Sequence, residues 1–381
     1  MPRLLYIGQT PAEGTGSPVI VLRHLQRLAA SGWDITVIVE AGQDQAACRQ
    51  ARWTVRTLPT RRPWWPPFRP GIPFTRTWRT WLLAGECVQL LAGQPPDAVL
   101  GYLAAHDDFF PEIALRYARR SGAPLSLLVH DDAAAFAPTP ADRRRLRGRH
   151  ARLLRHAHRC WFVSPELALA YGLPAADRWV LLPIPAGPAH FVGWQPAFAA
   201  GPRVYYAGFI WPEQLPLLRL IAATLAAAGA SLVLLTRETP ALTAWLRTCA
   251  IGHVAPFPTN REALAHLARE AAGVLVSYTD TVAQMPWIAT SFPSKLVEYA
   301  QLGLPCAIVA PRDSAVGQWA QRKAYADFFT PAEQERLADW ARALGRQAAW
   351  QGHCERPRQL ADGEFNPEHI QATFAAGLLR T

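Results

Sequence analysis

Residues 290–311 read TSFPSKLVEYAQLGLPCAIVAP, a helix-sized segment running into a fully apolar one. Pro293 and Ser294 suit a helix start, Leu296, Tyr299 and Ala300 recur at helical spacing, and Gly303 suits the stop. The segment lies between GVLVSY (273–278) and CAIVAP (306–311), both short and almost wholly apolar. Runs of that kind suit strands covered on both faces, and a helix between two of them is a parallel crossover. The helix start then lies at the carboxyl ends of the strands, where free N–H groups and the helix dipole favour an anion.

The same alternation extends in both directions. RLLYIG (3–8), DITVIV (34–39), WTVRTL (53–58), DAVLGYL (97–103), LSLLVH (125–130) and CWFVS (160–164) are the strands expected in the first half. In SPVIVLRHLQRLAASG (17–32), Val19, Leu22, Leu25 and Leu28 share a helical face that Gly32 ends. A second series follows with RVYYAG (203–208), SLVLLT (231–236), GVLVSY and CAIVAP. LLPIPAGPAHFVGWQPAFAAGP (181–202), rich in Pro and Gly, interrupts the alternation and reads as a linker. The expected architecture is α/β, two doubly wound Rossmann-like domains facing each other across a cleft, over residues 1–190 and 200–365. NPEHIQATFAAGLLR (366–380) reads as an amphipathic helix that crosses back to the first domain.

A chain of 381 residues, half of them hydrophobic, is long enough for two such cores. No run of about 18 apolar residues is free of charge or proline, and MPRLLYIGQT lacks a signal-peptide pattern, so a cytoplasmic protein is expected. Cys48, Cys87, Cys160, Cys249, Cys306 and Cys354 form no CxxC pair and read as small buried residues in a reducing compartment. The net charge of +10 suits an anionic partner: nucleic acid, a membrane face or a phosphorylated substrate.

Lysine occurs at only two positions, Lys295 and Lys323, in a chain with 39 Lys plus Arg. A cation in the first turn of a helix opposes the dipole by some tenths of a kcal/mol (~0.3–1). Lys295 is therefore read as a point charge kept for phosphate, and Lys323 as a surface lysine. Glu298 lies one turn further on the same face, where a carboxylate either pairs with Lys295 or accepts hydrogen bonds from a ribose diol. Phosphate and vicinal hydroxyls together suit a nucleotide sugar.

SFPSKLVEYAQLGLPCAIVAP resembles the C-terminal donor-binding signature of GT-B-fold glycosyltransferases of family 4, in the branch with a P-S-K-L-x-E-Y core. Residues 14–39, GTGSPVIVLRHLQRLAASGWDITVIV, are similar to that family's first loop, helix and second strand, and residues 100–132 carry histidines near two successive strand ends as the family often does. The resemblance implies a retaining hexosyltransferase that needs neither cofactor nor metal. Glu298 matches the glutamate that holds the donor ribose, and Lys295 with the amides of Ser294 to Leu296 matches the diphosphate cradle. Gly14, Thr15 and Gly16 match the glycine-rich turn over the phosphates, and His130 matches a histidine beside the donor sugar. The base is expected against APFPTN (255–260), at Phe257 and Pro258, although a core role suits Phe257 as well.

Two departures stand out. The first acid of the family's E-x7-E motif is replaced by Thr290, and where relatives carry an arginine and a lysine after the first strand of the second domain, this chain has GFIWPEQ with Phe209. Arg237, after SLVLLT, is a candidate for the missing charge. The two HDD triplets, 106–108 and 130–132, lack a D-x-D; His106, Asp131 and Asp132 are assigned to acceptor hydroxyls or to strand-end caps rather than to a metal.

Residues 61–81, RRPWWPPFRPGIPFTRTWRTW, mix Trp64, Trp65, Trp78 and Trp81 with arginines and prolines. Trp with Arg suits a membrane interface, and the basic run at 142–159, with Leu146, Leu153 and Leu154 among its cations, is expected on the same anionic surface. The acceptor expected is a glycan or a lipid-linked group, with a Trp-rich packing loop and a solvated arginine face as the alternative. No nucleic-acid module appears. A nucleotide-sugar epimerase of the same fold and a catalytically degenerate scaffold subunit are the competing functions.

Overall fold

The structure, a computed structural model, describes residues 1–14, 16–59, 73–103, 109–137, 139–174, 178–249 and 251–379, with only the backbone of Ser17 and of residues 73–75. The chain divides into two compact units: residues 1–181 with 371–381, and residues 182–370.

The described residues of unit 1 form one parallel sheet of β1 (Arg3–Ile7), β2 (Asp34–Glu40), β3 (Thr54–Leu58), β4 (Ala98–Leu103), β5 (Leu125–Val129), β6 (Arg159–Phe162) and β7 (Trp179–Val180), in the order β3-β2-β1-β4-β5-β6-β7. Its helices are α1 (Ser17–Ala30), α2 (Ala46–Gln50), α3 (Pro73–Leu90), α4 (Phe109–Ser121), α5 (Pro140–His156) and α6 (Pro165–Ala170). Every residue of β4 and β5 is buried, as strands covered on both faces must be. Val19, Leu22, Leu25 and Leu28 of α1 are buried, the face expected from their spacing.

Unit 2 repeats the plan with β8 (Arg203–Ala207), β9 (Ser231–Leu235), β10 (Gly252–Val254), β11 (Gly273–Ser277), β12 (Cys306–Val309) and β13 (Phe328–Phe329), ordered β10-β9-β8-β11-β12-β13. Around it lie α7 (Ala197–Ala200), α8 (Leu215–Ala227), α9 (Pro240–Leu246), α10 (Asn260–Glu270), α11 (Ser294–Ala300), α12 (Ala315–Arg322), α13 (Gln334–Leu344) and α14 (Gln347–Asp362). In each sheet the order reverses after the unit's first strand, between β1 and β4 and between β8 and β11. A crevice outside the carboxyl ends of the strands is where such sheets bind ligands.

Several details differ from the sequence expectation. β7, β10 and β13 are short outer strands, and the break between units follows Leu181, at the front of the expected linker. Cys249 is exposed while the other five cysteines are buried. Leu153 and Leu154 of α5 are buried in unit 1, so the apolar side of this helix is spent on the fold and its arginines are left as a solvent face. Residues 61–72 lie outside the described set; Trp81 of α3 is exposed under the guanidinium of Arg120, 5.0 Å from its ring centroid. No helix among the described residues is long and apolar enough to cross a membrane.

The last helix, α15 (Pro367–Leu378), belongs to unit 1 from Gln371 onward. Gln371 Oε1 accepts from His24 Nδ1 at 3.2 Å, and the ring of Phe374 lies 4.8 Å from that of His24 and 5.5 Å from that of Trp161. Phe374 is fully buried. Phe374→Ala is expected to destabilise unit 1 by about 3–5 kcal/mol, the usual cost of emptying an aromatic core site. Urea unfolding checks this: the unit 1 transition moves to lower denaturant and that of unit 2 stays where it is.

Candidate functional site

The carboxyl edge at the β8/β11 switch point is built around one ammonium. Lys295, in the first turn of α11, donates to the hydroxyl of Tyr206 at 2.8 Å and lies 4.0 Å from the centroid of the same ring. Its stem passes over Gly208, just beyond β8, whose φ is +118°. A Cβ at that position would stand 2.5 Å from Lys295 Cε and 2.8 Å from Nζ, so the close approach requires glycine.

Neighbouring hydrogen bonds fix this arrangement. The Tyr206 hydroxyl donates to Phe209 O at 3.0 Å, and the buried Gln214 donates to Ser277 O at 2.8 Å while accepting from Trp211 N at 2.9 Å. The loop after β8 is thereby tied to the end of β11. Tyr299 ties α11 to β8: its hydroxyl accepts from Ala207 N at 2.9 Å and donates to Ala207 O at 3.2 Å.

Around this centre the expected donor residues are placed as follows. Pro293 is the residue that precedes α11, and it offers no side-chain cap to the first N–H groups. Leu296 N donates back to Pro293 O at 3.1 Å and its side chain is buried, so of the expected cradle only the Ser294 and Lys295 amides are left to face a ligand. Glu298 Oε2 accepts from Ala186 N at 3.0 Å, which ties the segment after the unit boundary to α11. Arg237 follows β9 at the same sheet edge and is exposed. Phe257 is half-buried against His266, with 5.1 Å between rings, and Pro258 is exposed. Thr290 is buried and donates to Trp287 O at 3.2 Å.

An aromatic cluster was not anticipated. Phe209 and Trp211 are 52% and 41% exposed, in the stretch where an arginine and a lysine were expected. Their rings are 5.1 Å apart, Trp211 is 6.2 Å from Trp287, and Trp287 is 5.8 Å from Tyr278. The aromatic run in GFIWPEQ was visible in the sequence; its partner Trp287, far along the chain, was not.

In unit 1, His130 follows β5 and is buried with its ring edge-on to Tyr102 at 5.2 Å. Its Nδ1 has no hydrogen-bond partner among the described residues. Asp132 is also buried: one oxygen accepts from Ala134 N at 2.9 Å and the other from Arg147 at 3.2 Å, which makes it the cap of the turn at 133–136. Asp131 beside it is half-exposed. Gly16, φ +83°, precedes α1, and a Cβ placed there would meet only Pro18 Cδ, at 3.9 Å. Thr15 and His106 lie outside the described residues. Among the described residues no group of three or more His, Cys, Asp and Glu is placed to hold a metal ion.

Comparison with known proteins bears on the fold. Residues 15–187 match the model of the glycosyl transferase 4-like domain. No curated protein matches the chain. Among solved structures, HepE of Anabaena in complex with UDP and glucose is similar over 99% of both chains at 12% identity, with a TM-score of 0.67. The sucrose-phosphate synthase of Thermosynechococcus elongatus matches over 99% of this chain and 98% of its own at 14% identity, TM-score 0.66. A trehalose 6-phosphate synthase of Burkholderia multivorans does so over the same shares at 15% identity, TM-score 0.62. The fold of the whole chain is thus GT-B, as the resemblance of residues 291–311 implied.

The buried histidines of unit 1 make its stability depend on pH. Burial lowers His130 from 6.5 to about 4, and it lowers His24 to about 3 against the hydrogen bond of Gln371. Below the ordinary histidine range the unfolded chain takes up protons that the folded one refuses. The stabilisation is therefore complete above pH ~6.5 and lost as pH falls through ~4, at a cost on the order of 3 kcal/mol for His130 alone. Urea unfolding between pH ~7 and ~4 should show this slope, and His130→Gln should make it shallower by about one proton.

Proposed function

We propose that this GT-B protein is a glycosyltransferase that moves a sugar from a nucleotide-sugar donor held on unit 2 to a glycan or lipid-linked acceptor bound by unit 1. The observation that carries the reading is the Lys295 ammonium fixed over Gly208 at the β8/β11 switch point. A positive charge held there in advance of the ligand stabilises a diphosphate as it departs, which is where negative charge develops in sugar transfer. In the reaction the acceptor oxygen bonds to the anomeric carbon as the carbon–oxygen bond to the diphosphate breaks. The hydroxyl proton and the nucleoside diphosphate leave. HepE is described as a complex with UDP and with UDP-glucose, which supports a nucleotide sugar as the donor class here.

The remaining residues take roles around that charge. Glu298 exchanges its bond with Ala186 N for the ribose hydroxyls, and Ser294 and Lys295 amides face the diphosphate together with Arg237. Phe257 and Pro258 lie against the base, and the exposed rings of Phe209 and Trp211 offer apolar surface to the sugar. His130, held neutral by burial, acts as a hydrogen-bonding imidazole toward the transferred sugar, with Asp131 on the acceptor. Configuration is retained and neither metal nor cofactor takes part. The arginine face of α5 suits an anionic membrane on which the acceptor is carried.

Phe209 in the place of a cation favours a second reading, a relative that binds donor without turning it over. Calorimetry with UDP, other nucleoside diphosphates and uridine tests the first step. Lys295→Ala should weaken the diphosphates about 10–100-fold, the range for a lost charge-assisted hydrogen bond, and leave uridine unchanged. Gly208→Ala, which displaces the lysine, should weaken them similarly. Absence of binding by any nucleotide at millimolar concentration would overturn the assignment. Donor hydrolysis that disappears in Glu298→Ala identifies an enzyme; binding with no hydrolysis in the wild type identifies the degenerate form.

A further inference from the structure

At the carboxyl edge of unit 2 one hydroxyl is shared by three partners. Tyr206 Oη accepts from Lys295 Nζ at 2.8 Å and from Gln214 Nε2 at 3.4 Å, and it donates to Phe209 O at 3.0 Å. Tyr206 and Gln214 are both buried, and Gln214 is held in turn by Ser277 O and Trp211 N. A phenol has a single O–H to give, and here it goes to the backbone. With its proton and lone pairs committed, the hydroxyl acts on a ligand through Lys295 and not directly.

Unit 1 contains the same turn. Tyr6, near the end of β1, donates to Gln9 O at 2.8 Å across Gly8, as Tyr206 donates to Phe209 O across Gly208. Closing the turn uses the O–H alone. In unit 2 the lone pairs of the tyrosine have a second use: they hold the ammonium of a lysine whose Cε lies 2.5 Å from where a Cβ at Gly208 would stand. A lysine side chain left to itself samples many rotamers and gives up that freedom when a ligand orders it. A hydroxyl that holds Nζ in place beforehand removes this cost from binding.

We infer that Tyr206 is the positioning residue of the donor site, its hydroxyl ordering Lys295 ahead of the ligand. The inference rests on the reading of Lys295 as the cation for the diphosphate. An ammonium has three N–H groups; one goes to Tyr206, and the others are left for oxygens of a nucleoside diphosphate. A hydrogen bond from a charged donor is stronger than a cation–π contact at a partly exposed site. The hydroxyl therefore outweighs the ring, whose centroid lies 4.0 Å from Nζ. Tyr206→Phe separates the two, since it keeps the ring and removes the acceptor.

Because the chain has only two lysines, Lys295 and Lys323, nuclear magnetic resonance can follow the side chain itself. In the full chain grown on isotope-labelled lysine, two side-chain spin systems appear, and Lys323→Arg assigns them. The ε protons of Lys295 should be shifted upfield by the Tyr206 ring, and Tyr206→Phe should remove most of that shift although a ring remains. In calorimetry the same variant should weaken UDP about 10-fold, the low end for a lost hydrogen bond to a charged group, and leave uridine unchanged. Added to Lys295→Ala, Tyr206→Phe should cost UDP nothing more, because the two residues act as one unit. Far-UV circular dichroism and the melting point confirm that the variants fold. A retained upfield shift or an unchanged UDP affinity in Tyr206→Phe overturns the assignment, as does the same loss of affinity with and without Lys295. If the wild type binds no nucleotide, the donor reading falls, and the lysine signals still decide whether the hydroxyl holds the ammonium.

Discussion

The approach of a lysine stem to a backbone that carries no Cβ governs the carboxyl edge of unit 2. With any other residue at 208, the Lys295 side chain would meet a carbon at 2.5 Å and leave the face of Tyr206. The remaining bonds follow from this contact. The Tyr206 hydroxyl donates to Phe209 O, Gln214 holds the same loop against β11, and Tyr299 fixes α11 to the end of β8. Each of these groups is buried, so each would cost about 1–3 kcal/mol if left unpaired. A charge surrounded by satisfied neighbours does not have to reorganise when a second charge arrives, which is what the proposed role of Lys295 requires.

Most of the fold was legible because parallel strands buried on both faces must be continuous apolar runs. β1, β2, β4 to β6, β8, β9, β11 and β12 carry that mark, whereas β3, TVRTL, is an outer strand exposed along most of its length. β7, β10 and β13 do not: they are two or three residues long, and β10 is only half-buried and includes a glycine and a histidine. An outer strand of that length is formed by the register of its neighbour and not by its own composition. α5 shows the opposite failure. Its leucines stood out among arginines and suggested a surface helix, whereas burial of Leu153 and Leu154 shows that those leucines anchor it to unit 1.

The site was legible where composition singled a residue out, and opaque where topology made the contact. Lys295 could be found because the chain almost never uses lysine. Tyr206, 89 residues earlier, could not, since only the pairing of β8 with β11 brings the end of its strand to the start of α11. Trp211 and Trp287 are 76 residues apart in number and meet for the same reason. Nothing in the sequence singles out His24, and its burial follows from α15 returning over α1. Nothing in the sequence singles out Glu112 of α4 either; what distinguishes it is the convergence of Arg76 of α3, Arg116 of α4 and Arg152 of α5 on its buried carboxylate.

The distribution of the two cations then follows from geometry. In unit 1 the Glu112 carboxylate is shared by Arg76, Arg116 and Arg152, and planar forks that each give it an N–H suit that arrangement better than ammoniums do. At residue 295 the requirement is reversed. Between the Tyr206 ring and the Gly208 backbone lie methylenes and a compact head, with Nζ at 2.8 Å from where a Cβ would stand, an approach that suits an ammonium better than the broader guanidinium. Lys323, the other lysine, is half-exposed and pairs with Glu364 at 2.8 Å, a contact that arginine makes equally well. Of the two departures from an arginine-dominated composition, the one at 295 is therefore required by the fold around it and the one at 323 is not.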